Sequence, residues 1–121
     1  MGARHADPFA PVAAIGRTLP DVELSTSWGK PALKVGGTMF VCIASHPSAE
    51  PDTLVVMMDI IDRDLLIEED PDSYYLEDHY LGHPCVLVRL RRVGGDALRG
   101  LVIGAHRYVS QTKKPRRRVR R

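Results

Sequence analysis

Residues 30–43 read KPALKVGGTMFVCI, and the Gly36-Gly37 pair at their centre decides how the chain folds. A two-residue hairpin turn needs positive φ at both positions, which glycine adopts without steric cost. With these two residues in the turn, Val35 faces Thr38, Lys34 faces Met39 and Leu33 faces Phe40. Simple alternation then puts Leu33, Val35, Phe40 and Cys42 on one face of the hairpin. Lys34, Met39 and Val41 fall on the other.

Working outward, TLVVMM at 53–58 reads as the next strand, after the loop SHPSAEPD. DIIDRDLLIEED at 59–70 reads as a helix, with Asp59 as its cap and Pro71 as its stop. SYYL at 73–76 is a short aromatic strand. VLVRLRRV at 86–93 alternates, with Val86, Val88 and Leu90 opposite Leu87, Arg89 and Arg91. Asp96 is the expected cap of a last helix whose stripe is Leu98, Leu101, Val102, Ala105 and Val109. On the N-terminal side, Pro11 opens a short helix through Val12, Ile15, Gly16 and Leu19, which Pro20 ends. The expected order is α-β-β-β-α-β-β-α: an α+β fold with one antiparallel sheet of about five strands and helices packed on one face. The other face is expected to stay partly open.

A chain of 121 residues holds one core, and 44% hydrophobic with 26% charged residues is ordinary for a soluble domain. The expected organisation is a loose N-terminus at 1–10, a domain at 11–112 and a basic, disordered tail at 113–121. No apolar run suits a secretory signal or a membrane span. Cys42 and Cys85 are too few and too far apart for a disulfide scaffold or a zinc site. A cytoplasmic protein with two buried, reduced thiols is expected.

Charge is divided sharply. The final nine residues, KKPRRRVRR, hold seven of the 17 Lys/Arg. The ten that remain stand against all 15 Asp/Glu and leave the body at −5. Seven cations on phosphates imply a salt slope of about −6 on a log–log plot.

The stretch LPDVELSTSWGKPALKVGGTMF resembles the opening of the MmcQ/YjbR family of small bacterial proteins. The resemblance lies in Leu19, Pro20, Val22, Glu23, Trp28, Gly29, Pro31, Ala32, Lys34, Val35, Gly37 and Phe40. A second block, DPDSYYLEDHYLGHPCVLVRL, is similar through Asp70, Pro71, His79, Tyr80, Gly82, Pro84, Val86, Val88, Arg89 and Leu90. The resemblance spans about residues 12 to 110. It implies a curved sheet of the secretion-chaperone-like type and a double-wing arrangement proposed to bind DNA. It brings no catalytic residue set. Asp21, Thr38 and Cys85 depart from the family's usual glycine, lysine and tryptophan.

The candidate nucleic-acid surface comprises Lys30, Lys34, Arg89, Arg91 and Arg92 as phosphate ligands, with Trp28 and Tyr80 to stack or wedge. The tail adds Lys113, Lys114, Arg116, Arg117, Arg118, Arg120 and Arg121. Gly29, Pro31, Gly36, Gly37, His79, Gly82 and Pro84 are expected to shape turns. The alternative for the basic face is solvation and cross-strand pairing with carboxylates. His79 and His83 have the spacing of a zinc pair only on a helix, and Gly82 and Pro84 argue for a turn, so no metal is expected. The acidic run from Asp59 to Asp72 lacks the glycine and terminal glutamate of a calcium loop. No nucleophile elbow, phosphate-cradling loop or Cys-x-x-Cys is present, so neither an enzyme nor a cofactor is expected. DNA binding through the sheet and hairpin wings is the first expectation. A protein-interaction or chaperone-like module using the open sheet face is the second.

Overall fold

The computed structural model describes residues 7–113. Gly36 and Gly37 have φ of 60° and 81°, and they join β2 (Lys30–Val35) to β3 (Thr38–Ile43) as expected. Val35 lies across from Thr38 and Lys34 from Met39. Beyond that point the register shifts: Leu33 lies across from Val41 and Ala32 from Cys42. Phe40 is the extra residue of a β-bulge, and one inserted residue reverses the parity of everything after it. Phe40 and Val41 both enter the main core, with Phe40 edge-on to His106 at 5.4 Å. Cys42 turns to the opposite face, beside Ala32 and Val55. The expected placement of Cys42 with Leu33, and of Val41 with Lys34, is therefore corrected.

The sheet has six strands rather than about five. The sixth is β1 (Val22–Ser27), which pairs antiparallel with β2 from Val22–Val35 to Ser27–Lys30. Its sequence, VELSTS, is an edge strand with mostly exposed or half-buried side chains, so its apolar signal is weak. A second two-residue turn, Trp28-Gly29, joins β1 to β2 with φ of 55° and 79°. Glycine is at ease there, and tryptophan is not.

The sheet continues through β4 (Thr53–Met57), β5 (Tyr74–Tyr75) and β6 (Cys85–Arg89) in the order β1-β2-β3-β4-β6-β5, antiparallel throughout. Strand β6 ends at Arg89, and Leu90–Arg92 form a 3₁₀ turn in place of the expected continuation. Helix α1 (Ala10–Gly16) has proline in its first turn. Helix α2 (Ile60–Glu69) is capped by Asp59, whose carboxylate accepts from the Ile61 N–H at 2.9 Å. Helix α3 (Gly95–Lys113) starts one residue before Asp96, which therefore sits in its first turn.

Helices α1 and α3 cover one face. The stripe Leu98, Leu101, Val102, Ala105 and Val109 is buried against Leu33, Phe40, Leu54, Val56, Val86 and Val88. On the other face a second cluster forms from Ala32, Cys42, Val55, Tyr75, Tyr80, Cys85 and Leu87. Among the described residues no α-helix packs on that face, but the segments at 44–52 and 77–84 lap over part of it.

Candidate functional site

Each expected cation can now be located. The Arg89 guanidinium grips Glu50 with two hydrogen bonds of 2.8 Å. It also donates to the carbonyls of Pro71 and Asp72 at 3.1 and 3.0 Å, and it stacks on the Tyr75 ring at 4.2 Å. The hydrogen bond from Arg89 holds the Glu50 carboxyl below its usual range, and Glu50 in turn raises the Arg89 guanidinium. Tyr75 extends the knot: its hydroxyl accepts from the Glu50 N–H at 2.9 Å and lies 2.7 Å from the Thr53 hydroxyl. Arg89 is thus a structural tie between β6, the 44–52 loop and the approach to β5. Four of its donors already have acceptors, so a phosphate would have to compete with Glu50 and two carbonyls for them.

Arg92 lies 3.5 Å from Asp72, and Arg91 stands near Glu50. Lys34 shares its face with Glu23, its partner across the β1–β2 ladder. Lys30 is exposed beside the Trp28-Gly29 turn. Neither lysine makes an ion pair among the described residues. Strands β2 and β6 are three ladder spacings apart, about 14 Å. The basic residues form two separated groups, and in one of them Arg89 and Arg92 are paired with carboxylates. Lys113 ends α3, and the expectations for Lys114, Arg116, Arg117, Arg118, Arg120 and Arg121 lie outside the described residues.

Between these groups the uncovered face holds something else, a cavity of about 570 Å³. Its floor is Met39 and Cys42 from β3, Val55 and Met57 from β4, and Cys85 from β6. One wall comes from Ser27 and Trp28 on the β1–β2 hairpin. The other comes from Ser45, His46 and Pro47 facing His79, Tyr80 and His83. Trp28 is 89% exposed on the rim.

Aromatic contacts hold the second wall. The His46 and His79 rings stack at 3.8 Å with 16° between planes. Tyr80 meets His79 edge-on at 5.0 Å, and its hydroxyl accepts from the His46 N–H at 3.4 Å. Tyr80, expected to stack or wedge, is buried in this wall. Burial pushes its phenol up. His79 lies in a 3₁₀ turn (Asp78–Tyr80), and Gly82 and Pro84 follow in the turn that leads into β6, as expected. Arg63 braces this turn from α2, its guanidinium donating to the His83 carbonyl at 3.4 Å.

Burial pushes the Cys42 thiol up to about 12 and the Cys85 thiol up to about 11. Both are protonated at neutral pH, so they line the floor as small apolar groups. Among the described residues no three His, Cys, Asp or Glu side chains converge as a metal site. Among the described residues no helix is long and apolar enough to cross a membrane. Sequence reasoning missed this cavity. His46 carried no motif, and Cys42 reached the same face as Cys85 only through the bulge at Phe40.

An antiparallel sheet with helices on one face and a loop-framed hollow on the other defines a small α+β domain. A sequence model of the YjbR family matches residues 17–108, most of the chain. The protein belongs to the YjbR family. No curated protein and no solved structure matches it.

Proposed function

We propose that the protein is a non-catalytic DNA-binding protein of the cytoplasm whose phosphate contacts come from the basic segment 113–121 rather than from the sheet. The division of charge carries this reading: +7 in nine residues against −5 in the rest. A polyanion is repelled by the body and drawn to the segment. Each Lys or Arg that meets a phosphate releases a counterion, so about seven contacts give a salt slope of about −6. Such contacts supply affinity and position without reading bases. Among the described residues Lys30 and Lys34 make no ion pair, whereas Arg89 is already committed to Glu50.

A titration of labelled duplex DNA at two salt concentrations tests this. Three proteins are compared: the full chain, a chain ending at Thr112, and a Lys34→Ala/Arg89→Ala double variant. The full chain should bind steeply salt-dependently, the shortened chain should lose that binding, and the double variant should stay within about twofold of the full chain. A double variant as impaired as the shortened chain returns the phosphate contacts to the sheet. No binding by the full chain at low salt removes the DNA reading.

One observation favours the second reading, a module that holds a partner segment on the open sheet face. Trp28 stands almost fully exposed beside an apolar hollow. Association of that kind would be nearly indifferent to salt.

A further inference from the structure

We propose that the cavity on the uncovered sheet face is a binding site for a small, neutral, planar aromatic molecule. At about 570 Å³ it falls within the range of small-molecule sites, roughly 300–1,000 Å³. Among the described residues no Lys, Arg, Asp or Glu lines it. A charged ligand would lose its hydration there and find only the imidazoles and two serine hydroxyls in exchange. The mostly apolar lining favours a neutral ligand over a phosphate or nucleotide, which separates the site from the basic segment.

The floor selects for aromatic rings. Four of its side chains, Met39, Cys42, Met57 and Cys85, carry sulfur. Sulfur–aromatic contacts are favourable by about 0.3–1.5 kcal/mol each. Methionine also adapts to an irregular occupant, which suits a pocket that is empty part of the time. The rim offers a stacking surface. Trp28 presents an indole to solvent from a turn position with φ of 55°, a conformation that disfavours bulky residues. An exposed tryptophan held at such a position contributes nothing to the core, and a ring lying in the cavity would cover it.

Polar groups are few and grouped. The hydroxyls of Ser27 and Ser45 and the imidazoles of His79 and His83 border the hollow. They can meet one hydrogen-bonding edge of a flat ligand. The geometry therefore favours an aromatic ring system with a single polar substituent over a bare hydrocarbon.

The probe 1-aminoanthracene has this character, and Trp28 is the only tryptophan in the chain. Titration into the full-length protein should give saturable one-to-one binding, a blue shift of probe emission and energy transfer from Trp28. Val55→Phe fills the floor and Ser27→Phe narrows a wall without entering the core; each should weaken binding about tenfold or more. Ser27→Phe decides the matter if Val55→Phe fails to fold by circular dichroism. Gly100→Ala, on the helix-covered side, should leave binding unchanged. Anthracene-1-carboxylate should bind about tenfold more weakly than the amine. Absence of saturable binding overturns the proposal, as does binding that Ser27→Phe leaves intact. Equal affinity for the carboxylate overturns the neutral class.

Discussion

The Arg89 knot and the Trp28 hollow lie on the same side of one sheet, and chemically they are opposites. Arg89 is a charged group whose donors find Glu50 and two carbonyls while its plane rests on Tyr75. Trp28 is a large apolar group with almost nothing against it, at a backbone position it does not prefer. A charge surrounded by acceptors is accounted for by the fold. An apolar group held outward at a conformational cost is not. On this surface a charge that stands out in the sequence is taken up by the fold, while an apolar group is left exposed. The residue with the most visible binding chemistry is a tie, and the apolar hollow is where binding capacity is left over.

Four variants separate the two regions. Tyr80→Ala should have the largest effect, about 3–4 kcal/mol in chemical denaturation, because it removes a buried ring that supports His46 and His79. A loss under 1 kcal/mol would mean the second wall is not packed as described. Arg89→Met should cost about 1–2 kcal/mol by releasing the 44–52 loop from β6. Its affinity for DNA should be unchanged, and a fall in affinity would break the contrast at its polar end.

Trp28→Gly should move the other way, raising stability by about 0.5–1 kcal/mol, since glycine accepts positive φ that an exposed tryptophan must be forced into. The same variant should bind 1-aminoanthracene more weakly. Stabilisation with loss of binding is the signature of a residue kept for function. If Trp28→Gly destabilises, Trp28 has a packing role and the contrast fails at its apolar end.

The smallest effect concerns pH. Arg89 depresses the Glu50 carboxyl in the folded state, so this pair's stabilisation is present above the unfolded carboxyl's usual value, about 4.3. It is lost as pH falls through the lowered folded value. Glu50→Gln should flatten acid denaturation across that window, because it removes at pH 7 the stabilisation that the parent loses on acidification, and the two proteins should converge below the window. Identical acid profiles for the two proteins would show the pair to be too well solvated to matter.

Much of the scaffold was legible from local chemistry. Gly36-Gly37 fixed a turn, Asp59 a helix start, and the Leu98–Val109 stripe the helix that covers the sheet. Strand β1 was not legible, because an edge strand of Ser, Thr and Glu shows little alternation. Cys42 was assigned to the wrong face because nothing in TMFVCI announces a bulge, and one extra residue inverts the pattern. Arg89 was read as available because its carboxylate lies 39 residues earlier, a pairing that only the sheet brings about. The cavity was out of reach for the same reason. It needs the bulge, the β1–β2 turn and two loops together, and no short stretch encodes all four.

The central claim is that the folded body does not meet phosphate while the basic segment does. Backbone amide resonances of the isotopically labelled full chain, followed by NMR during titration with duplex DNA at low salt, test this most directly. The account predicts shifts concentrated in residues 113–121 and the end of α3, with Arg89, Arg91 and the β3, β4 and β6 strands unmoved. Progressive, saturable shifts along β6 and at Lys34 would contradict it.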